Sequence, residues 1–283
     1  MPKFRVAIIV LNYHGAAVLP ACIASLTKAI HADDQILIVD NGNEKALLAL
    51  IKHEFPQIKT LSLEKNGGFA AGMNAGIRFI QDVGGAEAYW LLNNDTSISP
   101  ETLDALFGTM EAVGEKNLFS PIIRSSVDGP IWFAGGKIDF LRMKTVHRQS
   151  LNGKQVFSTD FLTGCALFIP AASLAALGYL DERYFLYAED AEFSLRARRK
   201  GFGLKVVPAA TVYHSEESER NPGKTYWLVR SSAEFFLRES PKLWKLWIWP
   251  YYGLRRLKNR FRLILSKNTL ASEIERAYTD VSL

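Results

Sequence analysis

Several polar clusters in this 283-residue chain stand where an apolar run stops, and each carries side chains able to bind a ligand or move a proton. In ILIVDNGN, Asp40 closes an aliphatic run and is followed by Asn41 and Gly42. A carboxylate placed there can accept from a nucleobase imide or a ribose hydroxyl, because ligands of open α/β sheets gather at the carboxyl ends of strands. Taken alone, Asp40 reads as a turn-forming residue. In YWLLNNDTSISP, the run Tyr89 to Leu92 empties into Asn93, Asn94 and Asp95. Oxygen donors of this kind suit a hard divalent cation shared with substrate phosphates. One carboxylate is a thin site, an Asn/Asp turn is the commoner meaning of such a segment, and a second ligand has to come from elsewhere.

Two further clusters come late in the chain. In YFLYAEDAEFSLRARRKG, Glu189 and Asp190 open a helical pattern and Glu192 follows. Acids in a first turn are stabilised by the helix dipole, yet a carboxylate in that position can also take a proton from an attacking hydroxyl. Arg196, Arg198 and Arg199 on the same segment read as a solvated face. His214 in VYHSEES follows a strand-like run; a lone histidine is more often structural, and metal ligation stays open. The glycines of KNGGFAAGMNAG, residues 65–76, allow close backbone approach to a ligand or to a neighbouring element. Their order matches neither the dinucleotide fingerprint nor the P-loop.

The elements that position these clusters alternate through the first half. Strand-like runs at Val6 to Leu11, Ile36 to Val39, Lys59 to Leu63 and Tyr89 to Leu92 are separated by helical patterns at Ala17 to Ile30, Glu44 to His53 and Gly72 to Val83, with another at Glu101 to Val113 after Ser99-Pro100. That alternation predicts an α/β fold with a mainly parallel sheet covered by helices on both faces. From Phe119 to about Leu162 the pattern turns irregular, with short β-like pieces at Ile131 to Phe133 and Ile138 to Phe140, and predicts a mixed half. A helix is expected at Ala188 to Lys200, then strands at Leu204 to Val207 and Thr211 to Tyr213.

A hydrophobic share of 48% excludes disorder, and a net charge of +5 is too small by itself to indicate nucleic-acid binding. Cys22 and Cys165 have no partner at ligand spacing, so neither a disulfide framework nor a zinc site is expected, and a reducing cytoplasm fits best. The opening residues lack a cleavage site and read as a buried first strand, so secretion is not expected. No run of 18 apolar residues suggests a membrane span. In WKLWIWPYYGLRRLKNRFRL, Trp244, Trp247, Trp249, Tyr251 and Tyr252 precede Arg255, Arg256, Lys258, Arg260 and Arg262. Peripheral membrane contact and a helix packed on the domain with a solvated basic face are both open.

In order and interval, IIVLNYHG, IVDNGN, NGGFAAGMNAG, LLNNDTSISP, FLTGCALFIP, YLDERYFLYAEDAEFSLRARRKG and VYHSEES together resemble the family 2 glycosyltransferases, in particular the bacterial rhamnosyltransferase-like branch. The resemblance covers roughly residues 4–235. It implies a glycosyltransferase A fold, with a nucleotide-binding half (about 1–118) and an acceptor half (about 119–235), followed by a C-terminal aromatic and basic helical segment (236–283). It implies inverting transfer from a nucleotide-diphosphate sugar, dTDP-rhamnose or a UDP-sugar, with a divalent metal, Mg2+ or Mn2+. The acceptor would be a hydroxyl of a glycan or lipid-linked glycan in cell-surface polysaccharide synthesis, made in the cytoplasm or at the inner face of the cell membrane. By position, Asn12, Tyr13 and Asp40 would hold base and ribose, with Asn66, Gly67 and Gly68 supporting the nucleotide. Asn93, Asn94 and Gly164 would lie against the nucleotide-sugar. Asp95 matches the last acid of the family's Asp-x-Asp metal motif and His214 the histidine that completes metal or diphosphate binding. Asp190 matches the general base, with Glu189 before it. Asn93 stands where the motif has its first acid and lacks that charge, as it often does in the rhamnosyltransferase-like branch.

Two other classes compete with this reading. A nucleotidyltransferase would present a glycine-rich, cation-bearing loop after the first strand, whereas Leu11 to Ala16 holds one glycine and no Lys or Arg. A non-catalytic membrane- or nucleic-acid-binding protein would rest on the basic C-terminal segment, would show a steep salt dependence and would have no use for Glu189 and Asp190. No nucleic-acid partner is expected.

Overall fold

The computed structural model of the chain describes residues 2–151, 153–214, 222–265 and 268–281. Its first part alternates as the apolar periodicity requires: β1 (Phe4–Asn12), α1 (Leu19–Leu26), β2 (Gln35–Asp40), α2 (Lys45–Glu54), β3 (Lys59–Ser62), α3 (Gly68–Asp82) and β4 (Ala86–Asn93). There follow β5 (Thr96–Ile98), α4 (Thr102–Val113), β6 (Asn117–Arg124), β7 (Ile131–Phe133), β8 (Gly136–Asp139), β9 (Lys144–His147), β10 (Phe157–Ser158) and β11 (Ala166–Pro170). Then come α5 (Ala171–Leu177), α6 (Glu189–Arg199) and β12 (Gly203–His214), and the chain closes with α7 (Pro222–Glu239), α8 (Lys242–Leu265) and α9 (Thr269–Asp280).

One sheet runs through the molecule in the order β10-β12-β6-β11-β4-β1-β2-β3. β4, β1, β2 and β3 are parallel, as the alternation predicts. β11 enters between β4 and β6 and is antiparallel to both, which makes the second half mixed. The stretch from Phe119, irregular as sequence, opens within the interior strand β6, and Pro121 is what disguises it. Proline removes a ladder donor, and opposite it the register of β12 jumps from Val207 to Thr211. Beyond that bulge β12 still pairs with β6, Thr211 beside Ile122 and Tyr213 beside Arg124, and takes up β5 on its other side, where His214 pairs with Thr96.

Helix α3 begins at Gly68, four residues earlier than its apolar pattern suggests, because glycines rather than large apolar residues form its inner face. A Cβ at Gly76 would sit 2.6 Å from Ile9 Cγ2, and one at Gly72 would collide with the Leu11 side chain. The glycine segment therefore divides its work. Gly72 and Gly76 bring the helix close to β1 and β2, and only Gly67 and Gly68 stand at the strand ends. The core around the sheet includes fully buried Trp90, Phe119, Phe168 and Phe193, with Phe119 and Phe168 edge to face at 6.2 Å. Both cysteines are buried and reduced, and burial drives the Cys22 thiol up to about 12, leaving it inert.

Candidate active site

Parallel register brings the polar clusters to one edge. Asn12 lies beside Asp40 on β1 and β2, and Leu11 lies beside Asn93 on β1 and β4. The loops leaving those strands therefore share a rim, the place where ligands of such sheets bind.

At the floor of this rim, Asn12 is fully buried and completely engaged. Its Nδ2 donates to Glu44 Oε2 at 2.8 Å, and its Oδ1 accepts from Asn94 Nδ2 at 2.9 Å. Asp40 is also fully buried, and its two oxygens accept the backbone N–H of Gly42 at 3.0 Å and of Glu44 at 2.7 Å. Both brace the β1 and β2 loops, and Asp40 makes the contacts of a turn-forming residue. Tyr13, by contrast, is 52% exposed and packs its ring against His14, leaving an aromatic face open at the rim.

A second layer joins β2 to α3. Asn41 donates to Asn66 Oδ1 at 2.9 Å and to the Gly68 carbonyl at 3.0 Å, while its own Oδ1 accepts from Gly67 N–H at 3.1 Å. Asn66 Oδ1 also accepts from Gly68 N–H at 2.9 Å. Gly68 has φ +89°, and a Cβ there would run into the Phe185 carbonyl. Phe69 N–H donates to the same carbonyl at 2.7 Å, so the loop before α6 is seated on the start of α3. Gly68→Ala is expected to destabilise the fold by about 2–4 kcal/mol in denaturant titration, from the backbone strain and the displaced loop together. An unchanged midpoint would mean that the loop is not held here.

The bulge in β12 delivers His214 to Asp95. Nε2 stands 3.1 Å from Asp95 Oδ1, an ion pair in a site where His214 is 5% exposed. Asp95 Oδ1 is buried and accepts no aligned hydrogen bond. Burial pulls the imidazole toward its neutral form, but Asp95 and Cys165 beside it outweigh that and lift it to about 10. Trp132 on β7 meets the His214 ring edge to face at 5.0 Å. Residues 215–218 of the VYHSEES segment lie outside the described residues.

Asp190 reaches the same region from the other side. The antiparallel β11 presents the Cys165 carbonyl to Asn93 N–H at 3.0 Å, and the adjacent Gly164 N–H donates to Asp190 Oδ2 at 2.9 Å. Asp95 and Asp190 thus flank a single junction, where β11 meets the end of β4. A Cβ at Gly164 would press on the Phe69 ring at 3.2 Å and stand in ordinary contact, 3.5 Å, with Asp190 Cβ. Asp190 Oδ1 accepts Ala191 N–H at 2.8 Å. Burial raises the Asp190 carboxyl above its ordinary value, against the pull of those N–H groups. Glu189 is buried, its Oε2 has no hydrogen-bond partner, and burial together with the Asp190 charge raises it well above the carboxylate range. Before them, Tyr187 and Ala188 take φ +67° and +71°, a tight left-handed entry that aims both acids.

Arg198 and Arg199 of α6 are exposed, as a solvated face requires, and only Arg196 is drawn in. Arg196 binds Glu192 and the carbonyls of Leu177 and Tyr179, Arg198 pairs with Asp160 at 3.0 Å, and Arg199 pairs with Glu239. Sequence reasoning missed Glu44, Asn41 as a network centre, and Trp132. Glu44 is the one of these with a local signal, four residues after a strand-end acid.

The family model described as glycosyl transferase family 2 matches residues 6–171, and a second, glycosyl transferase family group 2, matches residues 90–272. The N-acetylglucosaminyl-diphospho-decaprenol L-rhamnosyltransferase of Mycobacterium tuberculosis is 22% identical over 262 residues, covering 84% of this chain and 85% of that protein. The solved structure of GalNAc-T7 with UDP, GalNAc and Mn2+ superposes with a TM-score of 0.68 at 16% identity, over 99% of this chain and 55% of that one. The mannosyltransferase PcManGT of Pyrobaculum calidifontis, in complex with GDP-Man and Mn2+, gives 0.62 at 12% identity, over 100% of this chain and 89% of that one.

Proposed function

The chain belongs to glycosyl transferase family 2 and is a glycosyltransferase of the A-type fold, and from that premise we propose an inverting transfer of a sugar from a nucleotide-diphosphate donor to a hydroxyl of a glycan or lipid-linked glycan. The observation that carries this reading is that Asp95 with His214 and Asp190 with Gly164 converge on the β4–β11 junction. Residues 1–118 would bind the nucleotide and 119–235 the acceptor. The rhamnosyltransferase relative supports dTDP-rhamnose over a UDP-hexose as donor and a lipid-linked glycan as acceptor. Reduced, buried Cys22 and Cys165 support a cytoplasmic setting.

Asp95 and His214 would hold a divalent cation, Mg2+ or Mn2+, between Asp95 Oδ1 and His214 Nε2, the cation taking the place of the proton that Asp95 stabilises on the imidazole. Among the described residues no group of three or more His, Cys, Asp or Glu could hold a metal ion, so the remaining positions of the cation would fall to diphosphate and water. When bound, the cation supplies positive charge against the departing diphosphate.

The protein's own residues do the rest. Tyr13 offers a ring face to the base, and the Asn41 and Asn66 network fixes the backbone of Gly67 and Gly68 where the nucleotide lies. Asn94 is held against Asn12 and extends the floor toward Asp95. Asp190 takes the proton of the attacking hydroxyl at a carboxylate oxygen as that hydroxyl bonds the sugar carbon from the face opposite the diphosphate. No covalent intermediate on the enzyme is required. Burial and the Asp190 charge favour the protonated form of Glu189, so the negative charge of the pair is favoured on Asp190, at the positive end of α6.

A panel of nucleotide-sugars with Mn2+ or Mg2+, scored for nucleoside diphosphate release, tests the reading. We expect release from dTDP-rhamnose well above that from UDP-hexoses. Turnover of nucleoside triphosphates with sugar phosphates, and of no nucleotide-sugar, would return the chain to the nucleotidyltransferase reading.

A further inference from the structure

Helix α8 hides the wrong face for a helix that ends its work inside the domain. Its inner side is fastened mainly to α9: Ile248 and Tyr252 are buried, Tyr252 meets Tyr278 at 6.0 Å, Asn259 Nδ2 donates to the Ala271 carbonyl at 2.8 Å, and Arg256 and the more exposed Arg260 pair with Glu275 at 2.8 and 2.9 Å. Tyr252, grouped by sequence with the exposed aromatics, is thus an anchor. At 100° per residue, the opposite side carries Leu243, Leu246, Trp247, Leu254, Leu257 and Phe261, and Ile264 and Leu265 continue it. Leu243, Leu246, Leu254, Ile264 and Leu265 are each at least 70% exposed. The stripe runs the full 24 residues, about 36 Å.

The charge on α8 is all of one sign. Lys242, Lys245, Arg255, Arg256, Lys258, Arg260 and Arg262 lie along it without one Asp or Glu. On the same helical projection Lys242 and Arg260 border the apolar stripe on one side, Lys258 and Arg262 on the other. Trp247 Nε1 donates to the Leu141 carbonyl at 2.9 Å and the Tyr251 hydroxyl to the Arg142 carbonyl at 2.6 Å. The helix is thereby fastened to the turn between β8 and β9, and the 52% exposed Leu141 joins the surface. An apolar groove of about 520 Å³ between Leu141, Leu243, Trp244, Leu246 and Trp247 opens at the same place.

We propose that the outer face of α8 lies in the plane of an anionic lipid surface, its leucines and Phe261 among the acyl chains and its bordering lysines and arginines at the phosphate level. Among the described residues no helix is long and apolar enough to cross a membrane, and a polar-bordered stripe is the pattern of a helix lying on one. A second copy of the chain fits less well, because pairing two such faces aligns cations with cations. The inference rests on no part of the sugar-transfer reading.

The test is sedimentation of the full chain with vesicles of phosphatidylglycerol and phosphatidylcholine, against phosphatidylcholine alone. Binding is expected to the anionic vesicles, to weaken at least about tenfold in L254E/L257E/F261E, and to fall with salt. K242Q/K258Q should weaken it while leaving the apolar stripe intact. Unchanged circular dichroism and monomeric sedimentation of both variants support the assignment. Equal binding to neutral vesicles, binding retained by L254E/L257E/F261E, or a wild-type dimer that this variant dissolves would each overturn it.

Discussion

Asp190→Asn is expected to lower kcat by at least about a thousandfold while leaving donor affinity within about twofold. The base acts only once both substrates are in place, so its loss belongs to the chemical step. The amide keeps one oxygen to accept from Gly164 N–H, as Asp190 Oδ2 does now at 2.9 Å, and forfeits one N–H acceptor. Folding stability should therefore fall by only about 1 kcal/mol. Stopped-flow turnover and calorimetric donor binding measured on the same preparation separate the two effects. Activity within tenfold of wild type would place the base elsewhere. A pH profile gives a second reading. Because burial raises the Asp190 carboxyl and the base must be ionised to act, kcat/KM should decline as pH falls through a value above the usual aspartate range. The two neighbouring carboxyls lose their protons as a pair, so the acid limb reports the pair.

Asp95→Ala should act one step earlier. It removes the only carboxylate beside His214 among the described residues, so donor affinity in Mn2+ is expected to drop at least about tenfold, near 1.4 kcal/mol. Chelation of the wild type with EDTA should produce a similar loss, and chelation of the variant should add little. Unchanged donor affinity by calorimetric titration would remove Asp95 from the diphosphate site. The variant also leaves a buried imidazole without its anionic neighbour, so the proton affinity of His214, now lifted to about 10, should fall. Its ring resonances followed by NMR would register that shift even in a preparation without donor.

What the sequence makes legible here is the end of each parallel strand. An apolar run that stops at Asp40 or at Asn93-Asn94-Asp95 marks a strand terminus whatever follows, and parallel pairing then collects those termini on one edge. The meeting of Asp95 with His214 is not legible in that way, since it depends on the extra residues of β12 opposite Pro121. Nor is the seating of Phe185 on Gly68, which joins segments far apart in the chain. Asp40 shows the limit from the other side. Its residue type and place fit ligand binding, and nothing in the line of the sequence shows that its two oxygens also brace the turn at Gly42 and Glu44. In α8, reading along the line separates aromatic from basic residues, whereas the helix sorts them around its axis and buries Tyr252 while exposing Leu254.

The antiparallel insertion of β11 has a consequence for how the molecule comes into being. β4 is complete at Asn93, but its neighbour Ala166–Pro170 emerges from the ribosome more than seventy residues later, and His214 later still. During synthesis the first four parallel strands can assemble while one edge of β4 waits uncovered, a long-range closure of the kind that slows folding. The two carboxylates come together only after the last central strand has threaded into place. A nascent chain arrested before Pro170 would hold the parallel strands without the junction that Asp95 and Asp190 flank, and its bare strand edge would be a natural place for a chaperone to bind.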